Sequence, residues 1–173
     1  MANNWLMFSG SLDVETPEEK AWLEEQLEFP SEVALEANTA MLNAPRFLRE
    51  YGDHPEIHDS VGLVPEDGCA GFEWSWHQGE DGTNYFLWFH TDESGNPEAV
   101  AYLVHLFLAK FHPDRCWSLA FAVGCDKPRI DEFGGGALFV TAKDIQWVST
   151  YAWIEEKRKA FEEAQEGANR GKK

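Results

Sequence analysis

The chain has 173 residues, 43% of them hydrophobic with 12 Phe and 8 Trp, enough apolar material for one core without staples and too much for a largely disordered chain. Lys and Arg total 14 against 31 Asp and Glu, a net charge of −17. A surface of that sign repels nucleic acid and anionic membranes and attracts basic partners.

The charge is uneven. Residues 1–70 hold fifteen acidic side chains against three basic ones, whereas residues 151–173 hold five against six. Cys69, Cys116 and Cys125 form an odd set without CxxC spacing. The opening MANNWLMFSG lacks the basic region and apolar core of a secretory signal, and no apolar run reaches the roughly 18 residues of a membrane span. The expectation is a cytoplasmic protein with reduced thiols.

Trp5 to Phe8 reads as a short strand. Thr16 then caps a helix, with Pro17 in its first turn and Glu19 completing a capping box. The helix runs to Glu28. Leu23 and Leu27 form a narrow apolar edge, while Glu18, Glu24, Glu25 and Glu28 share a contiguous arc, either a solvated face or a partner surface. Residues 29–70 are irregular. Val33 to Leu48 hold one or two helices broken near Pro45, and Pro55, Gly62, Pro65 and Gly68 favour loop.

From Gly71 the alternation sharpens. Phe72, Trp74 and Trp76 share one face, as do Tyr85, Leu87 and Phe89, with Phe86 and Trp88 opposite. This predicts a β-hairpin turning through Gly79–Gly82, its second strand buried on both faces. Pro97 to Phe111 is apolar nearly all round and predicts the central core helix, ended by Pro113. Trp117, Leu119, Phe121 and Val123 alternate with small residues as a strand. A long turn over Gly124–Gly136 leads to a further strand, Ala137 to Thr141. Ser149 or Thr150 caps a last helix to Glu166, with Glu155 and Lys159 spaced for an i,i+4 ion pair, and the basic tail 167–173 frays. The order predicts one α+β domain over residues 1–166. Its antiparallel sheet has about four to five strands, built from two hairpins, with helices packed mainly on one face.

The Gly124–Gly136 loop is the most unusual segment. It crowds Cys125, Asp126, Lys127, Arg129, Asp131 and Glu132 beside Gly134, Gly135 and Gly136. Consecutive glycines permit positive φ and close backbone approach. The segment reads either as a bulged hairpin turn or as a ligand- or partner-binding loop. It is not a Walker phosphate loop, since no Gly-Lys-Ser/Thr follows and a strand comes next. Lys127 or Arg129 beside Cys125 is a setting that activates a thiolate. No general base accompanies it in sequence, and only His77 or His90 could approach through space, so no catalytic residue is assigned.

His54 and His58 have HxxxH spacing among Asp53, Glu56 and Asp59, but Pro55 opposes the helix that would aim both rings one way. His90 and Asp92 at a strand end could join His77. His105, on the apolar helix, reads as a hydrogen-bonded core residue. No metal or cofactor is expected. Burial, a pocket or interface anchoring accounts for Trp74, Trp76, Trp88, Trp117, Trp147 and Trp153. Their acidic neighbours argue against nucleic acid.

The segment Cys125-Asp-Lys-Pro-Arg-Ile-Asp-Glu-Phe-Gly-Gly-Gly-Ala137, followed by Phe139-Val-Thr-Ala, Trp147 and Ser149-Thr-Tyr-Ala-Trp153, resembles a group of uncharacterised bacterial, plasmid and phage proteins. That group carries a Cys-x-Lys-Pro-Arg … Phe-Gly-Gly-Gly-Ala signature. The resemblance covers residues 100–156. It implies a prokaryotic mobile-element setting and no activity.

The reading of the whole is an acidic protein-binding module. In its sharp form this is a mobile-element-encoded inhibitor that mimics nucleic acid and blocks a defence or nucleic-acid-processing protein through Glu18, Glu24, Glu25 and Glu28. The expected partner is a basic protein rather than nucleic acid or a membrane, and exposed aromatics leave a homodimer open. One alternative is a small enzyme or ligand-binding domain working through the Gly124–Gly136 loop. The other is an immunity- or antitoxin-type partner of a basic toxin.

Overall fold

The computed structural model describes residues 4–30, 44–51, 71–79, 82, 84–93, 95–127 and 133–170. Among them run β1 (Asn4–Val14), α1 (Pro17–Gln26), α2 (Arg46–Tyr51), β2 (Glu73–Gln78), β3 (Tyr85–Thr91), α3 (Pro97–Phe111), β4 (Cys116–Cys125), β5 (Gly134–Thr141), β6 (Ile145–Ser149) and α4 (Thr150–Arg170). The strands make one antiparallel sheet in the order β2-β3-β1-β4-β5-β6.

The α+β class is as expected, but the sheet has six strands. β6, only five residues long, is the addition. β1 runs eleven residues rather than stopping at Phe8. Ser9, Gly10 and Ser11 are poor strand formers and hide the continuation to Leu12 and Val14. Gly10 suits this central strand because a Cβ there would lie 2.7 Å from Leu119 Cδ1 and 3.3 Å from the Trp117 ring.

One side of the sheet is covered. Phe8, Leu12 and Val14 of β1, Leu87 and Phe89 of β3, Leu119 of β4, and Leu138 and Val140 of β5 point into a single core with Leu103, Val104 and Phe107 of α3. α3 is apolar enough for this place because nearly every residue from Pro97 to Leu108 is buried. α1 joins it edgewise, with Trp22 6.2 Å from the Phe107 ring and 5.8 Å from Phe111.

The start of α1 keeps half of the expected capping box, with the Glu19 carboxylate turned to the backbone of Glu15 instead of Thr16. Thr16 Oγ1 accepts from Glu19 N at 3.2 Å, while Glu19 Oε2 accepts from Glu15 N at 2.7 Å. Glu19 is itself buried, with Oε1 3.3 Å from His112 Nε2. His105 Nδ1 lies 2.7 Å from the Thr141 carbonyl oxygen, consistent with a hydrogen-bonded core histidine.

Among the described residues the other side of the sheet is open. Cys116, Ser118, Ala120 and Ala122 alternate, exposed, along β4, and Phe139 and Val148 are exposed on β5 and β6. This corrects the expectation for the hairpin. Leu87 and Phe89 are buried, but Phe86 and Trp88 are only half-buried, and among the described residues no helix packs over them. An apolar run looks the same whether its second face meets a helix or water.

α4 is anchored at its start. Thr150 Oγ1 accepts from Gly135 N at 3.2 Å, and Tyr151 Oη donates to the Phe133 carbonyl at 2.6 Å. It continues to Arg170, past the expected end at Glu166, and every residue from Tyr151 to Ala164 is exposed. Glu155 pairs with Arg158, not Lys159.

Candidate functional site

On the open side, β1, β3 and β2 present a three-by-three array. The register aligns Asp13, Phe86 and His77 in one row, Ser11, Trp88 and Ser75 in the next, and Ser9, His90 and Glu73 in the third. Strand spacing and rise give the array a footprint on the order of 10 by 14 Å. Aromatic and imidazole rings fill its centre. His90 stacks on Trp88 with centroids 4.0 Å apart, His77 stacks on Phe86 at 5.1 Å, and His77 meets Trp88 edge-on at 5.6 Å.

Polar contacts fix the rings. Trp88 Nε1 donates to Ser9 Oγ at 2.8 Å, and Ser75 Oγ lies 2.8 Å from His77 Nε2. An open depression of about 460 Å³ is lined by Ser9, Gly10, Ser11, His77, Phe86 and Trp88. Carboxylates stand at two opposite corners, Asp13 and Glu73. Asp13 is exposed. Glu73 is 78% exposed, with Oε2 3.9 Å from His90 Nδ1.

Such an array suits a cation. The faces of Trp and Phe attract a guanidinium or ammonium, and flanking carboxylates accept its hydrogen bonds. The hydroxyls of Ser11 and Ser75 flank Trp88 in its row and add polar partners.

The sites expected from sequence are placed differently. Glu18, Glu24, Glu25 and Glu28 are all exposed on or just after α1. However, Lys20 holds Glu24 at 2.8 Å and Arg46 holds Glu25, so half of that acidic arc is neutralised from within. Cys125 closes β4 and is buried, its Sγ 3.8 Å from Asp126 Oδ1, while Asp126 and Lys127 are exposed. It shares the strand parity of Leu119 on the covered side, whereas His77 and His90 lie on the open side, so neither imidazole serves it as a base. Arg129, Asp131, Glu132, His54 and His58 lie outside the described residues.

The glycine run is not loop. Gly134, Gly135 and Gly136 belong to β5, paired with Val123, Ala122 and Phe121. A Cβ at Gly135 would lie 2.4 Å from the Phe121 carbonyl oxygen, and one at Gly136 would lie 2.2 Å from that of Val148. Close strand packing accounts for these residues without a ligand.

The array was only partly visible in sequence. His77 and His90 stood out, but Phe86 and Trp88 read as buried, and Ser9, Ser11 and Asp13 read as lying beyond the first strand. The signal was the alternation in Glu73-Trp-Ser-Trp-His77, which places polar residues opposite the tryptophans.

Among the described residues no His, Cys, Asp or Glu cluster is arranged to hold a metal ion, and no helix is long and apolar enough to cross a membrane. Comparison with known proteins finds no matching family model, no similar curated protein and no similar solved structure.

Proposed function

We propose that the chain is an acidic protein-binding module that docks through the open face of β1, β3 and β2 onto a partner presenting arginine or lysine side chains. The carrying observation is the array itself, in which Trp88 and Phe86 offer ring faces between the carboxylates of Asp13 and Glu73. The net charge of −17 supports the same reading, because it draws a basic partner in before contact. The sharper form, an inhibitor presenting a nucleic-acid-like charge pattern to a nucleic-acid-processing protein, rests on that charge and on the mobile-element resemblance of residues 100–156.

The test is titration of a synthetic arginine-rich peptide into the full chain at low and high salt, followed by calorimetry. Trp88→Ala and the pair Asp13→Asn, Glu73→Gln should each weaken binding by about tenfold. Glu24→Gln with Glu25→Gln should change it little, because Lys20 and Arg46 already occupy those carboxylates. Added salt should weaken binding. Affinity that ignores the array variants but collapses with those of α1 would move the docking surface to α1.

A further inference from the structure

The array holds two imidazoles, His77 and His90, among the rings and carboxylates that suit it to a cation. Each lies against an aromatic ring. His90 covers one face of Trp88 with the ring planes 28° apart, and His77 lies over Phe86 with the planes 9° apart. His77 is also a wall of the open depression, together with Phe86 and Trp88. His90 is not part of that wall and meets it only through Trp88.

Each imidazole has an acceptor for its charged form. Ser75 Oγ lies 2.8 Å from His77 Nε2 and accepts from it once both ring nitrogens carry protons. Glu73 Oε2 lies 3.9 Å from His90 Nδ1, an ion pair when that ring is charged. The other charges around the two rings are acidic. Asp13 reaches the array from β1 and Glu73 from β2, and the exposed Asp92 follows His90 just past the end of β3. Glu15, beyond Asp13, is paired with Arg115 at 2.6 Å. Cys116 is an exposed thiol at the start of β4. Lys20 lies over Trp76 and Tyr85, whose register with Leu87 puts them on the covered side. None of the nine array positions is Lys or Arg, so the imidazoles are its own source of positive charge.

These positions set protonation against docking. Imidazole changes charge between about pH 5 and 8, a range in which carboxyl groups as a class stay ionised and guanidinium stays protonated. With neutral imidazoles the array carries its two carboxylates uncompensated, and with both imidazoles charged it carries no net charge. The charged rings also use what an incoming cation needs. His90 takes a face of Trp88 and the Glu73 carboxylate, the ring attraction and the ion pair that a guanidinium would make. His77 puts a like charge into the wall of the depression. We infer that His77 and His90 make the array a pH switch, open to a basic partner when the imidazoles are neutral and closed to it when they are protonated. The inference rests on docking through the array as proposed above.

The experiment extends the titration of the arginine-rich peptide into the full chain to about pH 8 and about pH 5.5, at one ionic strength. Affinity for the parent should fall by about tenfold on acidification, roughly threefold for each imidazolium brought near a bound guanidinium. His77→Gln with His90→Gln should lose at most about twofold over the same interval. The readout is the ratio of the two affinities, so a general weakening by the substitutions does not enter. The double variant keeps every other titrating group, and its ratio therefore carries the effect of the chain's overall charge.

A second measurement needs no substitution. A cation in the depression and a proton on either ring exclude one another, so peptide binding should release protons. Calorimetry of the parent at about pH 6.5, in two buffers of different ionisation enthalpy, reads that release.

Equal affinity at both pH values, lost in Trp88→Ala, would overturn the switch and leave docking on the array standing. Equal losses in the parent and the double variant would overturn it too, since the loss would then belong to the overall charge. So would binding without proton release. Absence of binding at either pH would remove the docking itself, and the switch with it.

Discussion

Gly136 shows how a residue that looks functional in sequence is accounted for by packing. Its α-carbon lies between β4 and β6, where an added methyl would meet the Val148 carbonyl oxygen at 2.2 Å and the Phe121 ring at 2.6 Å. Backbone cannot step aside as a side chain can. Gly136→Ala should therefore cost about 1–3 kcal/mol in urea unfolding, the usual scale of overpacking. At Gly82 the nearest atom to such a methyl is the Gln78 amide nitrogen at 3.8 Å, so space is not what limits that position. A Gly136→Ala variant as stable as the parent would show that β5 has room to spare and would return the glycine run to consideration as a binding segment. Trp88 makes the contrasting case. Its ring is held by Ser9 and His90 yet stays half-exposed, a strength of positioning that the hydrophobic effect alone does not require.

Among the elements, the tight link between β5 and β6 is organised around one ionised group. Asp144 Oδ1 accepts from Thr141 Oγ1 at 2.8 Å and Oδ2 accepts from Gln146 Nε2 at 2.8 Å. The bond from Gln146, then that from Thr141, holds the Asp144 carboxyl below its ordinary value of 3.8. A carboxyl depressed by folding contributes stability above its unfolded value and loses it as the pH falls through the folded one. The thermal midpoint of Asp144→Asn should lie below that of the parent at neutral pH, and the gap should narrow as the pH drops below 3.8. A gap independent of pH would mean that the charge on Asp144 contributes nothing to the turn. Glu15, held low chiefly by its bond from Arg115, responds in the same direction.

Elements with one dominant pattern were legible in sequence. α3 showed itself by being apolar all round, α1 by its cap, and the β2–β3 hairpin by alternation with a glycine turn. What escaped was set by partners distant in the chain. Ser9 to Ser11 extend because β3 and β4 flank them, and β6 is a strand because β5 offers it an edge. The acidic arc of α1 was read correctly as exposed, but no local rule announces that Arg46 reaches Glu25. The candidate array needed three strands in register before its residues became neighbours. The stripe of α4 lay in plain view at helical spacing, but only the structure showed that Trp153, Ile154 and Phe161 are exposed.

At the scale of the molecule, one covered face, one open face and a strong excess of negative charge define the behaviour. Self-repulsion at −17 destabilises the folded state, and added salt screens it. The thermal midpoint should therefore rise between about 10 mM and 0.5 M sodium chloride, where the Debye length shrinks from about 30 Å to a few Å. A midpoint that falls instead would mean that ion pairs such as Arg115 with Glu15 outweigh the net repulsion.

The strand order has a further consequence, for the time the fold takes to assemble. β1 lies inside the sheet, yet it precedes both of its neighbours in the chain. Phe8 pairs with Thr91 on one side, and Asn4 pairs with Cys125 on the other. The sheet cannot be completed locally, because β1 must wait for segments some eighty to one hundred and twenty residues later. Such high contact order belongs to domains that fold in milliseconds to seconds rather than microseconds. Throughout that interval Leu12 and Val14 have no ladder to join, and β1 is the segment for which a chaperone would compete.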